Sequence, residues 1–403
     1  MINLKNMARR TIVTLPGDGI GAIVLKEALR VLDAAGFTAD YVHGDIGWEF
    51  WCKEGNPLPD RTIELIKKHR IALFGAITSK PNDEAKAELA PELQGKGFVY
   101  SSPIVTLRQK FDLDICVRPC KSYKGNPLNF VRRGKGNTID EPLVDVVIFR
   151  QNTECLYSGV EWTNPPEKVY NAFMTHPKFV ENFGDVPVNE LSISTRIFTR
   201  KATSRILMAA FEYAKNNGYK SVTVCEKPNV IRETSGLMWK LAKEIQQKQF
   251  PDIKLINTNI DAQMMWLTKN PEDYGVIVAG NMFGDIASDA FAGLTGGLGF
   301  ACSAQFSEEG IAVFEPTHGS APKYAGYEVP IVNPVAMIES ACMMLDYIDE
   351  KKIAGAIRKS VAKVIADGKV RTYDMMKMQG RPEVVQNGAA STSQMTDAII
   401  AGL

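Results

Sequence analysis

The chain has 403 residues, 45% hydrophobic and 23% charged, with a formal net charge of +1. Such a chain has material for one to three globular domains, and its charge balance gives no case for a nucleic-acid or membrane-surface partner. No apolar run approaches the roughly 18 residues that a spanning helix needs.

The seven cysteines, Cys52, Cys116, Cys120, Cys155, Cys225, Cys302 and Cys342, are scattered, with no CxxC pair and no zinc-like spacing. Reduced thiols in the cytoplasm fit that usage. Residues 7–10 are basic, yet the apolar run behind them is too short for a signal-peptide core. Residues before Met7 read as a ragged terminus.

Residues 11–15 predict a strand, 16–21 (PGDGIG) a tight turn, and 23–35 an amphipathic helix closed by Gly36. Strand, glycine turn and helix open an α/β fold. The turn is one residue short of GxGxxG, and no acidic residue ends a second strand at the expected distance, so a Rossmann fold is rejected. Asp60 is expected to cap a helix through residue 70, with a buried strand over 71–77. Residues 78–99 form a polar connection long enough for a lid. In YSSPIVTLRQKFD, Pro103 suits a helix start with Ser102 as its cap, which brings Ser102 near Arg108.

Arg118 falls on an expected strand over 113–119, and Arg150 ends another over 144–150. A single strand-end arginine is more often a surface ion-pair partner. Three of them, Arg108, Arg118 and Arg150, each at or just beyond an apolar element, point to a clustered anion site for carboxylates or phosphate. Tyr157 follows in QNTECLYSGVEW; a buried ring with a satisfied hydroxyl is an equal reading there. Residues 163–191 lack firm periodicity and suggest an excursion from the main sheet. A strand over 192–198 and a helix over 203–216 come next. Lys227 ends a strand over 221–227, where ligands gather in open α/β sheets, although a snorkelling surface lysine is the commoner case. Asp261 is expected to cap a helix over 262–268.

Residues 281–299, NMFGDIASDAFAGLTGGLG, follow an apolar strand over 274–280. A helix over 284–292 puts Asp285 and Asp289 on one face, one turn apart, where they repel unless a cation lies between them. One capping and one solvated aspartate is the alternative. Small and aromatic neighbours and the glycine-rich turn behind favour a pocket floor. Residues 311–326 pass from a strand into a Gly/Pro/Ser loop whose amides can face an anion, with His318, Lys323 and Tyr324 adding rings and charge. Helices over 335–348 and 351–367 follow, the second ended by Gly368. Tyr373 and Lys377 share a face if helical, and Ser391 caps a terminal helix.

PGDGIG, LRQKFDLDICVRP, VIFRQNTECLYSGVEW, VTVCEKPN, GNMFGDIASDAFAGLTGGLG, HGSAPKYAG and TYD occur in this order. In them the chain resembles, over nearly its whole length, the β-decarboxylating isocitrate and isopropylmalate dehydrogenases, and most of all the prokaryotic NADP-dependent isocitrate branch. The resemblance implies a non-Rossmann α/β fold with a large domain from residues 1–113 and 296–403, a small domain from 114–295, and a clasp at about 157–191 that pairs subunits. It implies that Asp285 and Asp289 of one subunit and Asp261 of the other bind Mg²⁺ or Mn²⁺. Arg108, Arg118 and Arg150 would clamp the carboxylates of a tricarboxylate substrate, with Ser102 on the γ-carboxylate. Lys227 of the partner subunit would deprotonate the hydroxyl, and Tyr157 would protonate the enolate carbon.

NADP would meet Thr78, Asn229, His318, Gly319, Lys323, Tyr324, Asn333, Tyr373 and Lys377. Of these, Lys323, Tyr324, Tyr373 and Lys377 offer two cations and two hydroxyls to a 2′-phosphate, whereas family members that use NAD place an acidic residue at the Lys323 position. The implied reaction is oxidative decarboxylation of isocitrate by a homodimer. Homoisocitrate or 3-isopropylmalate oxidation, or a non-catalytic regulatory subunit, are the alternatives. Three departures stand out: Lys377 in place of the usual arginine, Ile104 in place of asparagine, and a longer connection over 78–99.

Overall fold

The computed structural model describes residues 10–403, so the ragged start expected before Met7 lies outside it. The strands in chain order are β1 (Arg10–Gly17), β2 (Ala39–His43), β3 (Ile71–Ala76), β4 (Ile115–Lys121), β5 (Arg132–Arg133), β6 (Ile139–Asp140), β7 (Asp145–Gln151), β8 (Glu161–Thr163), β9 (Ser192–Ser194), β10 (Ser221–Glu226), β11 (Lys254–Asn259), β12 (Val276–Ala279), β13 (Cys302–Phe306) and β14 (Ala312–Pro316). Ten of them form one sheet in the order β11-β10-β12-β7-β4-β13-β14-β3-β1-β2. Two parallel blocks, β11-β10-β12-β7 and β14-β3-β1-β2, run in opposite directions. They are joined through the antiparallel pairings of β4 with β7 and of β13 with β4 and β14.

Each block is covered on both faces, which is why its strands read as unbroken apolar runs. Along β1 and β3, Ile12 and Leu73 face a core shared with the helices Ile20–Ala34, Val335–Tyr347, Lys351–Asp367 and Thr392–Ala401. The alternate residues Val13, Leu15, Ala72 and Phe74 face the helices Asp60–His69 and Pro103–Lys110. In the other block, Val222, Val224 and Val276 pack against Arg200–Asn216 and Thr234–Gln249. Cys225, Ile277 and Ala279 face Ile260–Trp266 and Asn281–Leu294. The glycine turn serves this packing. Gly17 and Gly19 have φ of 67° and 56°, and a Cβ at either would strike the carbonyl oxygen of Ala76 or Ser320.

Several local expectations are corrected. Asp60 is the first residue of its helix, behind Pro59, and neither residue makes a side-chain cap. Asp261 lies inside the first turn of Ile260–Trp266, because β11 stays paired as far as Asn259, the N-cap. The strand expected over 192–198 stops at Ser194 and forms a hairpin with β8. The excursion before it holds two short helices, Glu167–Phe173 and Pro177–Phe183. Residues 372–377 form a turn, with Lys377 at φ 56° and Thr372 Oγ1 donating to Asp374 Oδ1 at 2.5 Å. Such a local bond competes with a helix, so Tyr373 and Lys377 do not share a helical face.

Asp114, the residue before β4, marks where the blocks meet and is 1% exposed. Arg205 on the helix Arg200–Asn216 lies 3.0 Å from it and also pairs with Glu308 of the β13–β14 turn at 3.1 Å. Burial pushes the Asp114 carboxyl up to about 7 from 3.8, with Arg205 opposing. Between those two values the folded chain keeps a proton that the unfolded chain releases, so this residue's contribution to stability falls as pH rises through that window and is level above it. Denaturant unfolding at pH 5 and pH 7.5 should show a smaller loss of stability with rising pH in Asp114→Asn than in the parent.

Candidate active site

Arg118 on β4 and Arg150 on β7 share one face of an antiparallel pair, since Cys116 stands opposite Arg150 and Arg118 opposite Ile148. Both are nearly sealed, at 6% and 2% exposure. The helix Asn281–Leu294 lies across them. Arg118 Nη1 donates to Asp285 Oδ1 at 3.0 Å and to Ser288 Oγ at 2.7 Å, and lies 3.4 Å from Asp289 Oδ1. Arg150 Nη1 also donates to Asp285 Oδ1, and its Nε donates to Asn281 Oδ1 at 2.9 Å. Gly284 makes the approach possible, because a Cβ there would stand 2.8 Å from Arg150 Cβ. Neither aspartate caps the helix, whose N-cap is Gly280.

Burial pulls the Arg150 guanidinium down to about 10, with Arg118 and Arg108 adding repulsion, so it stays charged at neutral pH. Burial works against Arg118 as well, but neighbouring Cys116 and then the carboxylates of Asp285, Asp289 and Glu315 leave its proton held above the ordinary arginine range. Asp289 is raised by burial and by Asp285, against the pull of Arg118. Two carboxylates one turn apart, Asp285 partly buried and Asp289 exposed, beside two buried guanidinium groups form a strongly polarised floor.

Arg108, on the helix Pro103–Lys110, enters from the other block. Its Nε donates to Gln305 Oε1 at 2.8 Å, and its Nη2 reaches Glu315 Oε1 at 3.2 Å. Gln305 Nε2 donates to Glu315, and Asn152 Nδ2 donates to Gln305 Oε1 at 2.8 Å. Sequence reasoning missed Gln305, Glu315, Asn152, Asn281 and Ser288. The signal for the first two was polar side chains inside the apolar strands CSAQF and AVFEP, where a buried polar group must find partners. Burial raises the Glu315 carboxyl, opposed by Arg108 and Arg118.

A small cavity opens between Val105, Arg108, Asn152, Thr153, Tyr157 and Asn281. Tyr157 stands at its mouth, 44% exposed, with its ring centroid 5.8 Å from the Arg150 guanidinium carbon. Burial and the Asp285 charge raise its hydroxyl. Ser102 holds the N-cap position of its helix without a side-chain capping bond. Its hydroxyl lies 3.5 Å from Ser79 Oγ, which is 3.4 Å from Tyr100 OH, and Ser101 and Thr106 pair at 3.2 Å. Ile104 packs against the core that contains Leu107 and Phe111.

Lys227 and Asp261 are not drawn into this cluster; they pair with each other at the ends of β10 and β11. That contact lowers the exposed Asp261 carboxyl. Asn229 is exposed two residues beyond Lys227. Among the described residues, no group of three or more His, Cys, Asp or Glu converges as a metal site.

The loop after β14 gathers several of the other residues. Thr78 Oγ1 and Ser320 Oγ are 2.7 Å apart, and His318 Nδ1 lies 3.0 Å from the Gly319 carbonyl. Burial holds the His318 ring below its ordinary value. Lys323 Nζ sits 4.6 Å from the Tyr324 ring centroid, and the Tyr324 and Tyr373 rings are 5.6 Å apart. Asn333 Nδ2 donates to Asp374 Oδ2 at 3.1 Å, while Lys377 is exposed on the turn that follows.

The profile of the isocitrate/isopropylmalate dehydrogenases matches residues 11–399. The chain belongs to that family. Protein DlpA of Legionella pneumophila is 37% identical over 96% of this chain, which spans 58% of that relative's length. A homoisocitrate dehydrogenase of Methanocaldococcus jannaschii is 38% identical over 89% of this chain and 91% of its own. The crystal structure of an isocitrate dehydrogenase from Methylococcus capsulatus superposes with a TM-score of 0.78 at 33% identity, covering 98% of this chain and 99% of that one. The expected family fold is therefore present. The family consists of decarboxylating dehydrogenases that use a divalent metal and a nicotinamide cofactor, and its members similar to this chain carry the names of three different substrates.

Asp285 is the hinge of the polar cluster, since both buried arginines lean on it. Without a bound ligand, Asp285→Asn should cost about 1–3 kcal/mol of stability by leaving two guanidinium groups short of a charged acceptor. Denaturant unfolding of the metal-free protein checks this, and Asp289→Asn, at an exposed side chain, should cost less.

Proposed function

We propose that this chain catalyses the oxidative decarboxylation of isocitrate to 2-oxoglutarate and CO₂ with NADP⁺ and Mg²⁺ or Mn²⁺, as a cytoplasmic homodimer with shared active sites. The observation that carries the reading is the convergence of Arg118 and Arg150 on the helix that bears Asp285 and Asp289, with Arg108 lining the cavity beside Asn281 of that helix. Three guanidinium groups suit a substrate with several carboxylates, and hard carboxylate oxygens suit a hard divalent cation. That donor set is two aspartates in one chain, which fits a site completed by Asp261 of the partner subunit.

When bound, the cation draws charge from the C2 oxygen and the nicotinamide accepts the C2 hydride. The arginines hold the substrate with C2 over the aspartate helix, their charges aimed at its carboxylates. Lys227 of the partner subunit takes the hydroxyl proton as the hydride leaves. The carbon–carbon bond to the departing CO₂ then breaks, and its electron pair stays on the C2–C3 fragment as an enolate. Tyr157, with its proton tightly held, returns one to C3. Exposed apolar side chains beside these residues, Val230, Met265, Trp266 and Ile286, support a second copy lying over this face.

The hydroxyls of Ser79, Tyr100, Ser101 and Ser102 favour a polar γ-substituent, to which they can hydrogen-bond as they cannot to an isopropyl group. Homoisocitrate stays the second reading, because Ile104 turns an apolar side chain into the core where an isocitrate enzyme would present an amide. Lys323 beside Tyr324 and Tyr373 favours the 2′-phosphate of NADP.

Isocitrate, homoisocitrate and 3-isopropylmalate compared at equal metal and cofactor should rank isocitrate first; fastest turnover of 3-isopropylmalate sinks the assignment. Lys323→Asp should raise KM for NADP⁺ by about tenfold to hundredfold and improve NAD⁺ use, as loss of a charge-assisted contact predicts. An unchanged cofactor preference would contradict the phosphate site. Tyr157→Phe should depress overall decarboxylation by about 100-fold while leaving substrate binding by equilibrium titration nearly intact.

A further inference from the structure

Behind the aspartate helix, on the side away from the arginines, lies a buried polar knot built around Glu226, the last residue of β10. Glu226 is 0% exposed. Its Oε1 accepts the backbone N–H of Gly280, the N-cap of the helix that carries Asp285 and Asp289, at 2.9 Å. Its Oε2 accepts Ser235 Oγ at 2.6 Å and Arg196 Nη2 at 2.7 Å. The same Ser235 hydroxyl lies 3.3 Å from the backbone N–H of Lys227, which donates to it. Arg196 completes the knot. Its Nη1 donates to Thr234 and Ser235 at 3.0 and 2.9 Å, its Nε donates to Cys155 Sγ at 3.2 Å, and it lies over the rings of Phe198 and Phe283 at 4.6 and 5.0 Å.

One carboxylate therefore touches, directly or through one hydroxyl, the start of the aspartate helix and the backbone of Lys227. Gly280 shows how closely the parts are fitted, for a Cβ there would press on Phe198, Glu226 and Arg196. A buried ion pair is weak evidence for stability, and similar-sized apolar residues often serve as well. What a charge-assisted pair adds is fixed geometry, since its six hydrogen bonds admit one arrangement of the elements they join. Nothing in the reaction needs Glu226 to touch substrate, yet it stands next to Lys227 in sequence and at the cap of the aspartate helix in space.

We propose that Glu226 is a positioning residue that sets Lys227 and the aspartate helix relative to each other, and so couples the two sites of a dimer. This rests on the reading above, in which the aspartate helix serves a chain's own site and Lys227 serves its partner's. In that arrangement one buried carboxylate acts on two reaction centres at once. Arg196 and Cys155 extend the link to the root of the β8–β9 hairpin, as the backbone N–H of Cys155 donates to the Ile197 carbonyl at 2.9 Å.

The test uses the full-length protein with Glu226→Gln, Ser235→Ala and the double variant Glu226→Gln/Arg196→Met, the last removing the unpaired charge should the single change fail to fold. Displacement by about 1 Å of groups far from the chemistry costs about 100-fold in rate. Each variant should therefore lose kcat by about 10- to 100-fold with KM for substrate within about threefold, and Glu226→Asp should recover part of the loss. In hybrid dimers with one working site, disabled at the other by Arg150→Met in one chain, Glu226→Gln should slow that site from either chain. Unchanged kcat in a folded Glu226 variant, or a loss transmitted from one chain alone, overturns the proposal.

Amide hydrogen exchange separates this result from failure of the functional reading. Glu226→Gln should lose protection at Gly280 and Lys227 while amides in the core of Val335–Tyr347 keep theirs. Unchanged exchange at both positions overturns the positioning role whatever the activity. A parent protein that turns over none of the three substrates, with the exchange result intact, rejects the proposed function and leaves the knot as drawn.

Discussion

Two arginines buried on neighbouring antiparallel strands are the constraint on which the site depends. Arg118 and Arg150 are taken almost wholly out of water, and a buried guanidinium is tolerable only with charged or polar acceptors close by. The aspartate helix meets that need through Asp285, Ser288 and Asn281. The demand runs both ways, because Asp285 and Asp289 repel each other and the arginines relieve that repulsion. The arginine face and the aspartate helix are thus each other's structural support. A substrate with several carboxylates and a divalent cation would replace contacts that already exist.

The sheet explains why this meeting happens where it does. Its two parallel blocks run in opposite senses, and β4 and β13 reverse direction between them. Arg118 and Arg150 belong to the seam on one side, while Arg108 arrives from a helix packed on the other block and is held by Gln305 and Glu315. A site assembled across such a seam responds to small shifts between blocks. The ion cluster of Asp114, Arg205 and Glu308 ties the same seam outside the cavity.

The opposite side of the aspartate helix has a different task. Glu226 and Arg196 form a hydrogen-bonded knot whose contacts reach the helix start and the Lys227 backbone. One side of the helix meets the two buried arginines, and the other side meets the knot at the helix start. Lys227 and Asp261 pair with each other, and neither is bonded to the arginines of their own chain; exposed apolar side chains lie around them.

Much of this was legible in the residues. Apolar runs between glycines located the buried strands, because parallel strands covered on both faces have no polar side to show. The spacing of Asp285 and Asp289 placed both on one helical face, and the arginines beside apolar runs singled out residues that the fold gathers around one cavity. Ordered motifs along the chain identified the family. Caps and ends were legible only in part: the residues that looked like caps, Asp60 and Asp261, lie inside the first turn of their helices, and at residues 372–377 a side-chain bond holds a turn. Only the tertiary structure decided that Gly284 is small to admit Arg150, and that Gln305 and Glu315 serve Arg108. It alone showed that Glu226 joins the aspartate helix to Lys227. Local patterning and residue chemistry belong to the sequence by itself, since they depend on neighbours along the chain. The partners of buried charges depend on residues tens to hundreds of positions away, and only the packed sheet brings those together.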